Sequence, residues 1–178
     1  MVWLALLRGI NVGGKNTVPM PELQAVSEAA GVARVRTYIN SGNVVFEWSE
    51  ADHTALARLL AGAIRDHFGF EVPVLVRSLP ELHAVLAPLP EAWANNDAMK
   101  CDVVFLADDL TAEEVLAALR VRPEIDDVLT APGAIIWRVD RANATRSGLL
   151  KLVTSPLYQR VTVRNCNTAR TLLALMEG

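Results

Sequence analysis

The chain has 178 residues, a formal net charge of −3 and 52% hydrophobic residues. This length suffices for one domain or for two small ones of about 80–90 residues, and the hydrophobic content argues against long disordered segments. The charge argues against a protein built chiefly to coat nucleic acid, although local basic clusters are compatible with it. No apolar run reaches the roughly 20 residues of a membrane span, and no signal sequence precedes the first apolar run, so we expect a cytoplasmic protein.

The first 76 residues alternate between strands and helices. Apolar runs predict strands at 2–7, 35–39, 44–48 and 72–76, and periodic apolar spacing predicts helices at 20–30 and between Ser49 and Gly69. Ser49 and Asp52 resemble a capping box at the start of the second helix. Pro73 lacks a backbone donor, which indicates that the fourth strand lies at a sheet edge or begins irregularly. The order is that of a ferredoxin-like βαββαβ unit.

The second half repeats this order with low residue identity. A short helix follows Ser78 and Glu81, and Pro- and Asn-rich residues then predict a linker at 88–99. We expect strands at 101–106, 124–129, 134–139 and 161–163, a helix after the Thr111–Glu114 capping box, a broken helix at 147–159 and a final helix at 168–176. The prediction is an α+β fold with two ferredoxin-like (βαββα-type) halves, 1–87 and 100–178, whose antiparallel or mixed sheets pack on helices.

Neither the cysteines nor the histidines form a recognisable chemical site. Cys101 and Cys166 are far apart without a CxxC motif, which predicts free buried thiols in a reducing compartment. His53, His67 and His83 are isolated, and no spacing suits zinc. No nucleophile motif is present. We therefore expect no metal and no cofactor, and the sequence leaves open whether the protein is an enzyme.

The loop after the first strand is the most distinctive segment, Arg8-Gly9-Ile10-Asn11-Val12-Gly13-Gly14-Lys15-Asn16. Glycine and asparagine permit positive φ and let backbone amides face an anion. Residues 9–15 fit the GxxxxGK of a phosphate-binding P-loop, but Asn16 replaces the expected Ser or Thr, and prolines delay the helix. This argues against a P-loop NTPase. An anion-cradling loop of another kind is favoured, and the alternative is a loop whose glycines serve only its shape.

We expect two further polar clusters to join this loop. One surrounds the turn that contains Ser41 and Asn43, where Arg36 and Tyr38 lie two apart and project on one side of their strand. The other surrounds a predicted helix start and consists of Arg164, Asn165, Asn167, Thr168 and Arg170. Cations and amides at a helix N-terminus favour anion binding. Each cluster also has a purely structural interpretation, as a hairpin turn and as a helix N-cap.

Three motifs together resemble one protein family. ALLRGINVGGKN (5–16), VRTYINSGNVVF (35–46) and TVRNCNT (162–168) are similar to the bacterial domain-of-unknown-function family numbered 1697. The resemblance spans essentially the whole chain and implies an α+β protein of two ferredoxin-like halves, but no activity. Two positions depart from the family pattern. Asn40 replaces a more typical glutamine, and Cys166 replaces an expected aromatic residue.

The resulting hypothesis is a cationic Gly/Asn-rich site between the halves that binds a phosphate-bearing small molecule or nucleotide. Its residues would be Arg8, Asn11, Gly13, Gly14, Lys15, Asn16, Arg36, Tyr38, Ser41, Asn43, Arg164, Asn165, Asn167, Thr168 and Arg170. One alternative is an RNA- or protein-binding sheet face, which rests on fold analogy and for which nucleic acid is not favoured. Another is that the motifs only knit the halves together. No membrane partner is expected, and the oligomeric state is not specified.

Overall fold

The computed structural model describes all 178 residues as two compact units. Unit 1 comprises Met1–Leu82 together with Leu172–Gly178, and unit 2 comprises His83–Thr171. The division falls ahead of the segment predicted as a linker. The final residues of the chain belong with unit 1, whereas the sequence suggested that they complete the second half.

Unit 1 contains four strands and two complete helices. The strands are β1 (Val2–Leu7), β2 (Ala33–Tyr38), β3 (Asn43–Glu47) and β4 (Val74–Ser78), and the helices are α1 (Met20–Ala29) and α2 (His53–Phe68). Helix α3 (Leu79–Leu86) begins in unit 1 and ends in unit 2.

Unit 2 contains β5 (Met99–Leu106), α4 (Ala112–Ala118), β6 (Asp126–Ala131), β7 (Ala134–Asp140), the short helix α5 (Leu150–Thr154) and β8 (Val161–Asn165). Two 3₁₀ turns, Arg141–Arg146 and Pro156–Arg160, flank α5. Helix α6 (Cys166–Glu177) begins in unit 2 and its last residues belong to unit 1. The predicted broken helix at 147–159 is thus one five-residue helix next to a 3₁₀ turn that begins at Pro156.

Each unit has one sheet of four antiparallel strands, and the two sheets have the same strand order. The order is β2-β3-β1-β4 in unit 1 and β6-β7-β5-β8 in unit 2. The connection strand–helix–strand–strand–helix–strand in unit 1 is the ferredoxin-like one. These sheets confirm the predicted α+β class. Strand β4 is an edge strand that begins directly after Pro73, as expected.

One face of the unit 1 sheet packs on α1 and α2. Strand alternation puts Trp3, Ala5 and Leu7 of β1 on this face, and the core contains the following residues from the other elements: Val44, Phe46, Leu23, Val26, Leu56, Leu60 and Ile64. Helix α2 ends at Gly69, whose φ of +80° suits glycine. Its N-cap is Asp52, whose Oδ1 accepts from Ala55 N at 2.9 Å. The expected cap at Ser49 is therefore wrong, because the helix begins one turn later.

The second face of each sheet is buried as well. In unit 1, Leu4 and Leu6 are fully buried, and in unit 2 the same holds for Val103, Phe105 and Ile136. Because alternate residues of one strand project to opposite faces, neither sheet presents an open surface at its centre.

A buried carboxylate fixes the start of α5 to the unit 2 sheet. Asp126 Oδ1 accepts from Trp137 Nε1 at 3.0 Å and from Ser147 Oγ at 2.6 Å, and its Oδ2 accepts from the backbone amides of Gly148 and Arg122, both at 2.9 Å. Burial raises the pKa of Asp126, but these hydrogen bonds together lower it below its ordinary value. A Cβ on Gly148 would lie 2.0 Å from the Arg120 carbonyl oxygen, so this close approach requires glycine.

Candidate functional site

The loop between β1 and α1 folds as a small hairpin with a glycine tip. Lys15 N donates to Val12 O at 3.1 Å, and the same two residues form an isolated bridge. Gly13 and Gly14 between them have φ of +60° and +72°. Positive φ at both central positions is the signature of the type I′ turn, which glycine favours. The amides of these two glycines donate to no acceptor in the chain, so the exposed tip carries two available N–H groups.

Asn11 holds this loop in place. Its side-chain amide donates to Val18 O and to Asn40 O, both at 2.9 Å, and its Oδ1 accepts from Val18 N at 2.8 Å. Asn11 and Asn16 both have positive φ, and Asn16 Nδ2 donates to Gly9 O at 3.0 Å. Two asparagines in left-handed conformation thus close the base of the hairpin, and Asn11 ties it to the β2–β3 turn.

The loop does not have the geometry of a P-loop. Helix α1 begins at Met20, after the N-cap Pro19, and not at Lys15. The first helical amides therefore lie beyond the glycine tip, whereas a P-loop aims them at the bound phosphate. This geometry agrees with the prediction, made from Asn16 and the prolines, that the loop is not a P-loop.

Gly42 brings the β2–β3 turn against the base of the loop. Its backbone oxygen accepts from Leu7 N at 2.8 Å. A Cβ on Gly42 would lie 2.6 Å from Ile10 Cδ1 and 2.7 Å from Leu7 Cβ, and its φ is +81°. Both the space and the backbone conformation therefore require glycine. The first two polar clusters are adjacent, as the hypothesis expects of them.

Within this turn, the side chain of Asn43 faces inward. Asn43 is fully buried, and its Nδ2 donates to Tyr38 O at 2.9 Å and to Ser41 Oγ at 3.0 Å. Tyr38 and Ser41 are half-buried. Ile39 is an exposed β-branched residue with φ of +49°, a strained conformation that well-determined turns tolerate. The hydrogen bonds of Asn43 shape this strained turn.

The cations of unit 1 have different environments. Lys15 is exposed and makes no ion pair or side-chain hydrogen bond within the chain. Arg8 is half-buried at the end of β1, and its amide donates to Pro73 O at 3.1 Å. Arg36 donates from Nη2 to Leu175 O in the last turn of α6, where a cation complements the free carbonyls of a helix end. Of these three candidate cations, Lys15 is the one whose side chain makes no contact that stabilises the fold.

The third cluster lies in unit 2, and its polar groups have partners there. Asn165 caps α6 by accepting from Thr168 N at 2.9 Å. Asn167 pairs with the backbone of Asn95, donating to its oxygen at 2.8 Å and accepting from its amide at 3.0 Å. Arg170 donates to the carbonyls of Trp93 and Pro90 at 2.6 and 2.7 Å. These contacts fasten the 90–95 segment to α6 and support the structural interpretation of this cluster.

Arg164 has a counterpart in unit 1, Arg77, which lies outside the three sequence motifs. Arg164 is 8% exposed, donates to Val163 O at 2.9 Å, and burial lowers its pKa to about 10. Arg77 occupies the same place in β4, is 4% exposed and donates to Val76 O at 2.8 Å. The segments VLVRS (74–78) and VTVRN (161–165) each end in a helix-capping residue. The similarity of these two segments could have predicted that Arg77 and Arg164 occupy equivalent positions in the two units.

Comparison with known proteins identifies the family. A model described as "Protein of unknown function (DUF1697)" matches residues 1–137. The chain belongs to the DUF1697 family. A solved structure of a conserved bacterial protein, SP0830 from Streptococcus pneumoniae, is 28% identical, with a TM-score of 0.84 over 98% of both chains. No curated protein matches at a significant level. None of the helices is both long and apolar enough to cross a membrane.

Both positions at which this DUF1697 chain departs from the expected motif lie at structural contacts. Asn40 supplies the carbonyl that binds Asn11. Cys166 is a free, fully buried thiol, as is Cys101, which confirms the prediction for both. Cys166 Sγ donates to Trp93 O at 3.7 Å. The interaction between the two neighbouring thiols raises the pKa of Cys101 and lowers the pKa of Cys166. A small thiol at 166 thus fills a buried position beside Cys101.

Proposed function

We propose that unit 1 binds a phosphate-bearing small molecule or nucleotide at the glycine tip of its first loop. The observation that carries this proposal is the pair of unsatisfied amides of Gly13 and Gly14 next to the exposed, unpaired Lys15. Successive backbone amides in a turn can form a concave anion-binding surface, and phosphate oxygens accept several hydrogen bonds at once.

Charge and rigidity support the same ligand class. Residues 8–19 contain two cations and no acidic residue. The Asn11 side chain attaches the loop to the β2–β3 turn through Asn40 O and braces it internally against the Val18 backbone, so the loop loses little conformational freedom when a ligand binds. A preorganised positive loop is a better anion receptor than a mobile one, because the entropy of ordering is already spent.

The proposed contacts narrow to a subset of the residues that the sequence suggested. Gly13, Gly14 and Asn16 would contribute backbone amides, Lys15 its ammonium, and Arg8 a second cation at the base of the loop. The remaining candidates have structural partners within their own units, and we assign them the task of shaping the turn and capping α6. Phosphate is the shared chemistry; the rest of the ligand is not specified by these groups.

The sheet-face alternative for RNA or protein has less support. It needs a continuous exposed basic face, whereas both faces of each sheet are buried at their centres. A cytoplasmic location, where phosphate metabolites are abundant, is part of the proposal.

The test is a thermal melt of the purified protein against phosphate, sugar phosphates, nucleotides with and without Mg²⁺, and a short RNA at two salt concentrations. A ligand at 100 times its dissociation constant stabilises by about 2.7 kcal/mol, or roughly 5–10 °C at this size. Lys15→Ala should reduce the shift, and Lys151→Ala, an exposed lysine of unit 2, should retain it in full. A shift unaffected by Lys15→Ala, or none with any compound, contradicts the proposal. A salt-sensitive shift with RNA alone would favour the nucleic-acid alternative.

A further inference from the structure

Unit 2 contains a cavity that the sequence did not predict. Its volume is about 140 Å³, and it lies between the sheet and the α5 segment, with Trp137, Val139, Leu152 and Val163 among its mostly apolar wall residues. An apolar cavity of about 150 Å³ is large enough to hold one benzene ring. The space is therefore of the right size for one ring or a short branched chain.

The cavity exists because the connection between β7 and β8 contains little helix to cover the sheet. In unit 1 the equivalent connection contains the sixteen-residue α2, which fills the space against the sheet. In unit 2 a five-residue helix and two 3₁₀ turns replace it. The rim bears two large apolar side chains, Leu150 and Val153, which are 47% and 61% exposed. An apolar cavity with an exposed apolar rim is the usual form of a small-molecule site.

One carboxylate in the wall defines the polar end of the cavity. The side chain of Asp102 is 9% exposed, and its Oδ2 lies 3.4 Å from Lys100 Nζ. Lys100 is the partner of this carboxylate within the chain. An ionised carboxylate has about four acceptor sites, so a donor from a ligand can bind Asp102 beside Lys100. Burial raises the pKa of Asp102, although Lys100 and then Arg141 act against this rise.

We infer that this cavity binds a small, uncharged and mainly apolar molecule that donates one hydrogen bond from a hydroxyl or N–H group to Asp102. The nearby charges exclude the charged forms of such a molecule. An ammonium would have to compete with Lys100 for Asp102, and a carboxylate would be repelled by Asp102. The inference is independent of the phosphate proposal, which concerns unit 1 alone.

Four probes of similar size distinguish these chemistries. Toluene, benzyl alcohol, benzylamine and benzoate are titrated into the full-length protein while the amide NMR resonances of Leu150 and Val153 are followed. We expect saturable shifts with toluene and benzyl alcohol, and a dissociation constant about threefold to tenfold lower for benzyl alcohol, since it adds one hydrogen bond. The charged probes should bind more weakly than toluene. Tightest binding by benzylamine or benzoate, or no saturable shift with any probe, would overturn the inference.

Two variants separate the cavity from the carboxylate. Asp102→Leu should bind toluene and benzyl alcohol equally, and its toluene binding shows that the cavity is intact. Ala144→Phe, a wall residue enlarged into the cavity, should abolish binding of both probes. An unchanged preference for benzyl alcohol in Asp102→Leu, or unchanged toluene binding in Ala144→Phe, would show that the probes bind elsewhere. If Asp102→Leu fails to fold, Asp102→Asn replaces it and should reduce the preference.

Discussion

Replacement of Asn11 by glycine should destabilise the protein through the loss of three hydrogen bonds. Glycine tolerates the positive φ at this position, so the backbone need not move. A typical intramolecular hydrogen bond contributes about 0.5–1.5 kcal/mol to stability. Asn16→Gly is the matched comparison, because it also replaces an asparagine with positive φ but removes only one such bond. Both variants carry the same added entropy in the unfolded chain, which therefore cancels in the difference.

The two variants should differ by about two hydrogen bonds, or about 1–3 kcal/mol. For a chain of this size, a 2 kcal/mol difference corresponds to roughly 4–8 °C in the melting temperature. Urea and thermal denaturation, followed by far-UV circular dichroism, measure both quantities. Equal stability of Asn11→Gly and Asn16→Gly within about 0.5 kcal/mol, or a greater loss in Asn16→Gly, would refute the assignment of Asn11 as the residue that anchors the loop.

The remaining predictions concern buried groups. Gly42→Ala should lose about 2–4 kcal/mol in urea denaturation because of overpacking and positive φ, whereas Gly62→Ala, in open space on α2, should gain up to about 1 kcal/mol. Asp126→Asn should lower the free energy of unfolding by about 3 kcal/mol at pH 7. Four groups donate hydrogen bonds to the carboxylate, and in the amide an NH₂ group would face two of them. Because the folded pKa of Asp126 is depressed, its contribution is present above about pH 4 and is lost as the pH falls through the folded pKa, so acid titration should destabilise the wild type more than Asp126→Asn. Cys166 should resist iodoacetamide until the protein unfolds, as judged by mass spectrometry. Alkylation of Cys166 in the native protein would contradict its burial. Equal stability losses in Gly42→Ala and Gly62→Ala, or identical acid denaturation of the wild type and Asp126→Asn, would contradict the other two assignments.

Hydrophobic periodicity was sufficient to predict most of this fold. Strand alternation and the i, i+3, i+4 spacing of α2 placed the βαββαβ order correctly, because both reflect which side chains face the core. The start of α2 was predicted one turn early, since Ser49 and Asp52 are both good caps and only the path of the chain selects Asp52. The boundary between the units could not be predicted from composition, because it falls inside α3 and α6 and depends on contacts between residues distant in sequence.

For the candidate site, the sequence predicted backbone conformation but not the partners of the side chains. The Gly/Asn pattern correctly indicated left-handed backbone in the first loop and in the β2–β3 turn, because few residues other than glycine and asparagine adopt it. The same pattern could not distinguish a ligand-binding asparagine from a structural one such as Asn167, whose partner Asn95 is far away in sequence. The position of Asp102 in a cavity wall could not be predicted, because a single acidic residue near the start of an apolar strand is common. The cavity itself depends on the shortness of α5, which the sequence did not predict.

The most direct test of the phosphate proposal is a ¹H–¹⁵N NMR titration with inorganic phosphate at constant ionic strength. The proposal predicts that the amide resonances of Gly13 and Gly14 shift downfield and saturate, as new hydrogen bonds to the anion form. Chloride should not reproduce this shift, and Lys15→Ala should weaken the binding at least several-fold. Amides of Gly13 and Gly14 that do not respond, or that respond equally to chloride and phosphate, would contradict the account.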